Sequence, residues 1–140
     1  MLVKERMSKH PILSAPDLSI SEALNLMKKE KVRRLPIVDK GGRLVGIITE
    51  TDLFKVFLEF LGARENGVRV TMLVANKIGE LAKLTQAIAS HGGNIMALVE
   101  YLGTDSTNRE VMMKVVGLPK DKLVQTIQPL VIEVGDVREM

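Results

Sequence analysis

Arg33-Arg34-Leu35-Pro36-Ile37-Val38-Asp39-Lys40-Gly41-Gly42-Arg43-Leu44-Val45-Gly46-Ile47-Ile48-Thr49-Glu50-Thr51-Asp52-Leu53 is the stretch from which the first half of the fold can be read. Two apolar runs, 35–38 and 44–48, flank Gly41-Gly42, a pair that enters a positive-φ turn without steric penalty, so the stretch predicts a β-hairpin. The second run stops at Thr49 and a helix follows. Thr49 suits the N-cap and Asp52 the third helical position, which is first of all a capping signal. The same atoms have a functional reading: a hydroxyl and a carboxylate beside the free N–H groups of a helix start can hold a phosphate and a sugar hydroxyl.

Working outward, Pro-Asp-x-Ser-x-x-Glu-Ala at 16–23, Arg-Arg-Leu-Pro-Ile-Val-Asp at 33–39 and Gly-Ile-Ile-Thr-x-x-Asp at 46–52 together resemble one repeat of the cystathionine-β-synthase-type (CBS) domains. The resemblance covers roughly the first 60 residues. It implies a small sheet with helices and a nucleotide pocket. Backbone and apolar groups near Pro11, Ile12, Leu35 and Pro36 would take the adenine, Asp52 would accept the ribose hydroxyls, and Thr49, helped by Arg34, would donate to phosphate. CBS repeats normally come as pairs with the pockets in the cleft between them, and this chain carries a single repeat. A unit of about 60 residues buries only about 60% of its unfolded surface. Both points suggest that two chains supply the pair, while a shortened version of a longer protein is the other explanation.

Before the hairpin, 11–15 reads as a short strand. Ser19 with Glu22 forms a capping box opening a helix whose buried stripe is Ile20, Ala23, Leu24 and Met27. After it, a helix over 50–61 is apolar on two faces. Leu53, Val56, Phe57 and Phe60 form one and Phe54, Leu58 and Leu61 the other, so it calls for two partners, its own sheet and a second subunit.

Gly62 to Gly67 is a polar, glycine-bounded linker, and the rhythm changes beyond it. Val68, Val70, Met72 and Val74 alternate as a strand. A helix to His91 follows with Leu81, Leu84 and Ile88 inward, closed by Gly92-Gly93. Strands are expected over 94–101 and 110–116, then a helix begun at Pro119 with Leu123 and Ile127 inward, then a last strand over 130–134. The order βαββαβ predicts a ferredoxin-like sandwich. This half resembles an ACT domain, a regulatory module that commonly binds amino acids where domains pair. The resemblance implies a site at Asn76, Ile78, Gly79, Leu81 and Asn94. The sequence departs from the family pattern where Asn76-Lys77-Ile78-Gly79 stands for the frequent Asp-Arg-Pro-Gly. The residues also have plain roles, Asn76 as an N-cap and Asn94 as a turn residue.

The expected organisation is therefore α+β: a CBS domain over 1–61, a linker over 62–67 and an ACT domain over 68–140. A CBS repeat followed by an ACT domain is similar to the bacterial acetoin-utilisation-type regulatory proteins, which usually carry two CBS repeats.

Composition supports an ordinary globular chain, with 46% hydrophobic and 26% charged residues. There is no Cys to form disulfides or attack as thiolate, and His10 and His91 have no ligand spacing, so no metal site is expected. The net charge of +3 lies wholly in residues 1–66, with 12 Lys/Arg against 9 Asp/Glu; the remainder carries 8 of each. That front-half excess suits an anionic ligand or a solvated face alike. Without an aromatic platform it argues against nucleic acid. No secretory or membrane-spanning run is visible, which points to the cytoplasm. No catalytic constellation, Walker loop or zinc spacing emerges, so an enzyme is not expected.

The function expected is a ligand-sensing regulator, with no required cofactor and with AMP, ADP, ATP or S-adenosylmethionine as candidate ligands. Self-association as a homodimer or homotetramer through the CBS sheet, the 50–61 helix and the ACT sheet, and an unidentified target protein, complete the expectation. The alternative is a non-enzymatic oligomerisation or adaptor module with vestigial pockets.

Overall fold

The computed structural model describes all 140 residues, Met1–Met140, as a mixed α+β chain with two compact units, Met1–Phe57 and Leu58–Met140. The division falls inside a helix, ahead of the expected linker. No helix is long and apolar enough to cross a membrane.

In the first unit the sequence 11–15 does not make the expected strand. It contributes one parallel bridge, Ser14 to Ile37, with Ser14 N–H donating to Pro36 O (3.0 Å) and Val38 N–H donating to Ser14 O (2.9 Å). Pro11 and Pro16 have no N–H to extend the ladder. Helix α1 (Ile20–Glu30) starts at the Ser19–Glu22 capping box, with Glu22 N–H donating to Ser19 Oγ (3.2 Å) and Ser19 N–H to Glu22 Oε2 (2.8 Å). It ends at Lys31 in the left-handed region, φ 54°. Ala23 and Met27 are buried and Leu24 half-buried, whereas Ile20, counted in the stripe from its spacing, is exposed. As the first helical residue it projects past a core of only Ala23, Met27, Leu35 and Leu53.

Strands β1 (Arg34–Val38) and β2 (Leu44–Thr49) pair antiparallel, with Arg34 opposite Thr49, Leu35 opposite Ile48 and Pro36 opposite Ile47. Of the two glycines between them only Gly42 uses positive φ (76°). The other constraint comes from Asp39, whose Oδ1 accepts the N–H groups of Gly41 and Arg43 at 2.9 Å each, an Asx-type turn that relieves Gly41 of any special conformation. Helix α2 (Glu50–Phe60) follows β2 directly. Along it only Leu53 is buried and Val56 half-buried; Phe57 and Phe60, expected on the inward face, are exposed together with Phe54, Leu58 and Leu61. The two-stranded sheet is too narrow to cover more than one turn of the helix.

The second unit holds β3 (Val68–Ala75), α3 (Glu80–Ser90), β4 (Asn94–Leu102), β5 (Asn108–Val116), α4 (Lys120–Ile127) and β6 (Glu133–Glu139). Its sheet runs β4-β5-β3-β6, antiparallel throughout. β3 and β5 are central and supply Val68, Val70, Met72, Val74, Val111, Met113 and Val115 to a core with Leu84, Ile88, Leu123 and Ile127 from the helices. The last strand lies three residues later than expected. The chain spends 128–130 on a 3₁₀ turn carrying Pro129, and only then pairs with β3, bulging between Val70 and Met72. Reciprocal bonds between Gly67 and Met140 (2.8 and 2.9 Å) close that edge.

Candidate functional site

The β2–α2 junction is built as a closed capping box. Thr49 N–H and Thr49 Oγ–H both donate to Asp52 Oδ2 (2.9 and 2.8 Å), and Asp52 N–H donates back to Thr49 Oγ (3.2 Å). The Thr49 hydroxyl, followed by its backbone N–H, holds the Asp52 carboxyl below the usual carboxylate range. The carboxylate is therefore charged at neutral pH, with Oδ2 taking both Thr49 bonds. In this structure the Thr49 hydroxyl proton is engaged by Asp52 Oδ2, the arrangement of a capping box.

Pleating places Arg34, Pro36, Val45, Ile47 and Thr49 on one face of the hairpin, because Arg34 is opposite Thr49 and Pro36 opposite Ile47. Arg34 is exposed, and Val45 and Ile47 each keep 56% of their surface in water. Leu35 alternates to the other face and is 0% exposed, so its side chain cannot touch a ligand; only its backbone can. Ile12 packs against that same core and Pro11 is exposed. The structure thus brings Arg34, Pro36, Thr49 and Asp52 to one end and face of the hairpin and leaves Leu35 its backbone alone to offer. At the opposite end Leu13–Asp17 and Val38–Lys40 line an open trough of about 680 Å³ that sequence reasoning did not foresee.

In the second unit, Asn76, Gly79 and Leu81 line a depression of about 230 Å³ at the β3–α3 turn. Asn76 is fixed there by Nδ2–H donating to Ser106 O (3.0 Å) and its N–H to Thr107 O (2.8 Å). Gly79 stands at φ 85° with nothing within 4 Å of where a Cβ would be, which leaves room for a ligand to reach the backbone. Ile78 is fully exposed at the loop tip and does not line this depression. Asn94 does not join this group. It pairs with Val116, while Asn76 follows Ala75, which pairs with Asn108; the nine residues of β5 separate the two positions by about 25 Å. The physical reason is α3, which carries the chain back along the sheet before β4 begins. Sequence reasoning missed Arg109 and Glu100, which line the same depression as an ion pair (Nε to Oε1, 2.7 Å). No sequence spacing signals them, since their proximity depends on the β4–β5 register.

Against known proteins, residues 3–59 match the sequence profile of the CBS domain. A CBS domain is present. Within this part the chain is 39% identical over 56 residues to the uncharacterized protein MJ1426 of Methanocaldococcus jannaschii, covering 40% of this chain and 33% of that protein. It is 45% identical over 58 residues to the L-aspartate semialdehyde sulfurtransferase of the same organism, covering 41% of this chain and 11% of the enzyme. The chain therefore spans a third or less of these curated relatives. Among solved structures, the CBS domain pair of protein MJ0100 in complex with 5′-methylthioadenosine and S-adenosyl-L-methionine is 44% identical, covers 42% of this chain and 48% of that one, and superposes with a TM-score of 0.41. The CBS segment contains all the residues gathered at the hairpin: Arg34, Pro36, Thr49 and Asp52.

Proposed function

We propose that this chain is a non-catalytic, ligand-sensing regulator whose CBS domain binds an adenine-containing nucleotide between two copies of the chain. The observation that carries this reading is the hairpin face: Arg34 and Thr49 are opposite each other beside the start of α2, and on the same face Val45 and Ile47 stand in water. Such a face is half of a cleft. A second copy laid sheet to sheet covers the two aliphatic side chains and encloses a ligand against Pro36 and Ile47. Asp52 Oδ1 then accepts the ribose hydroxyls and the Arg34 guanidinium takes the phosphate or sulfonium-side carboxylate. Thr49 keeps Asp52 charged and oriented.

The proposal extends to an ACT domain over 68–140, joined by the 62–67 linker to a CBS domain over 1–61. Its support is the βαββαβ order with sheet order β4-β5-β3-β6. In this reading an amino acid occupies the depression at Asn76, Gly79 and Leu81, with Asn94 contributing only from a neighbouring copy, and the pairing of the two domains is that of the acetoin-utilisation-type regulators. A second reading, an oligomerisation module with vestigial pockets, draws on the exposed Phe54 and Leu58 along α2 and Leu61 just past it.

Thermal-shift titration with AMP, ADP, ATP, S-adenosylmethionine and 5′-methylthioadenosine separates the two. The last compound is included because the MJ0100 domain pair was solved with it. A ligand at about 100 times its dissociation constant adds about 2.7 kcal/mol, and Asp52→Ala is expected to abolish that shift while the ligand-free melting curve shows a folded chain. A folded chain whose melting no nucleotide moves supports the oligomerisation reading instead.

A further inference from the structure

Lys114 is the one buried cationic side chain of the molecule, 3% exposed on the sheet face opposite the core. Its sheet row is unfavourable for it: Lys114 is directly opposite Arg69, and Arg69 is directly opposite Arg138. Like charges at facing positions repel. The acid that answers this row, Asp136, is shared by Arg69 (3.5 Å) and Arg138 (2.8 Å). The Lys114 ammonium instead donates to a neutral backbone group, Gly62 O, at 2.9 Å. That carbonyl lies just past the end of α2, where Gly62 N–H donates to Glu59 O and Ala63 N–H to Leu58 O. Gly62 is in the left-handed region (φ 66°), as expected at a helix C′ position. The C-terminal end of a helix carries partial negative charge, which accounts for a buried ammonium there. The fit is tight, because a Cβ on Gly62 would lie 3.2 Å from both Ala97 Cβ and Lys114 Cδ. The turn that closes α2 is therefore fastened to β5 by one charged bond.

We propose that Lys114 is a positioning residue, a latch through which a ligand-induced displacement at the first turn of α2 reaches β5. The inference rests on the reading that the Thr49–Asp52 end of α2 holds a nucleotide. An 11-residue helix is about 16 Å long, and α2 runs without a break from the Thr49–Asp52 junction to the turn that holds the Gly62 carbonyl, so a displacement that travels along it meets the Lys114–Gly62 bond.

Amide hydrogen exchange on the full chain, with and without S-adenosylmethionine, 5′-methylthioadenosine or AMP at saturation, tests this with wild type, Lys114→Met and Gly62→Ala. In wild type the bound nucleotide is expected to slow exchange at least threefold over 49–55 and also to alter it over 111–116. In Lys114→Met, exchange over 58–65 is expected to rise at least tenfold without ligand, and nucleotide is expected to keep its effect over 49–55 while losing it over 111–116. Gly62→Ala, which leaves every charged group in place, should do the same and serves if Lys114→Met fails to fold. Unchanged exchange over 58–65 in the variants, or a nucleotide effect still reaching 111–116, overturns the latch. A wild-type effect confined to 49–55 overturns the latch and leaves the nucleotide site standing. No effect at 49–55 from any of the three compounds removes the site and the latch with it.

Discussion

The two units differ most in how much of their apolar sequence they bury themselves. The second gathers twelve buried residues into one core between a four-stranded sheet and two helices. The first has four, Ala23, Met27, Leu35 and Leu53, and leaves Val45 and Ile47 of its sheet in water. The contrast follows from sheet width. In the second unit the central strands β3 and β5 each have neighbours on both sides, so their inward residues are roofed by α3 and α4. In the first, two strands and a single bridge make a sheet with little inside. A unit of this size is marginal alone, and its stability is expected to depend on a second copy.

The largest effect that sharpens this comparison is a cavity in each core. Ile88→Ala, at a site with no solvent exposure, is expected to cost about 2–5 kcal/mol, lowering the urea midpoint of the second unit. Leu53→Ala has the same nominal cost but falls on a core of four, so the first unit should lose its protection from amide exchange altogether while the second keeps its own. Equal responses in the two units would break the comparison.

Next in size is Ile47→Asp. If a second copy covers the hairpin face, the melting temperature of the first unit rises with chain concentration, and a charge at position 47 removes that dependence while sparing the second unit. Sedimentation velocity on the same variant should show dissociation. A melting temperature independent of concentration in wild type would mean that the first unit stands alone despite its small core.

The smallest effect concerns the two capping boxes of the first unit. Ser19→Ala removes the N-cap of α1 and is expected to cost about 1 kcal/mol, seen as an earlier first transition in urea. Glu22, through the Ser19 hydroxyl and then the Ser19 N–H, and Asp52, through the matching groups of Thr49, are both held below the usual carboxylate range. A carboxylate whose pKa is lowered by folding contributes stability that is present above its unfolded value and lost as pH falls through its folded value. The first transition should therefore move down on acidification below about pH 4.5, and Ser19→Ala should make that decline shallower. A decline of unchanged steepness would remove Glu22 from the account.

Much of this was legible in the residues because it depends on neighbours in sequence. The capping pairs Ser19–Glu22 and Thr49–Asp52 are three residues apart, and the alternation of Val68, Val70, Met72 and Val74 needs no partner to be seen. Other features misled for the same reason. Ile20 and Phe57 have the spacing of inward residues, but the first unit has no interior wide enough to receive them. The final strand was expected three residues early, since nothing in Leu130-Val131-Ile132 shows that a 3₁₀ turn through Pro129 comes first.

The sequence by itself determined the presence of the CBS motif, the helices with their caps and the βαββαβ order, all set by local backbone preference and periodicity. Only the tertiary structure decided which residues meet. Strand register placed Arg34 beside Thr49 and Arg109 beside Glu100, and it set Asn76 and Asn94 at opposite ends of the sheet. It also put the Lys114 ammonium under the Gly62 carbonyl, 52 residues away along the chain. Such pairs arise when strands from distant parts of the sequence align to bury a common core, and that alignment is a property of the packed sheet rather than of either strand.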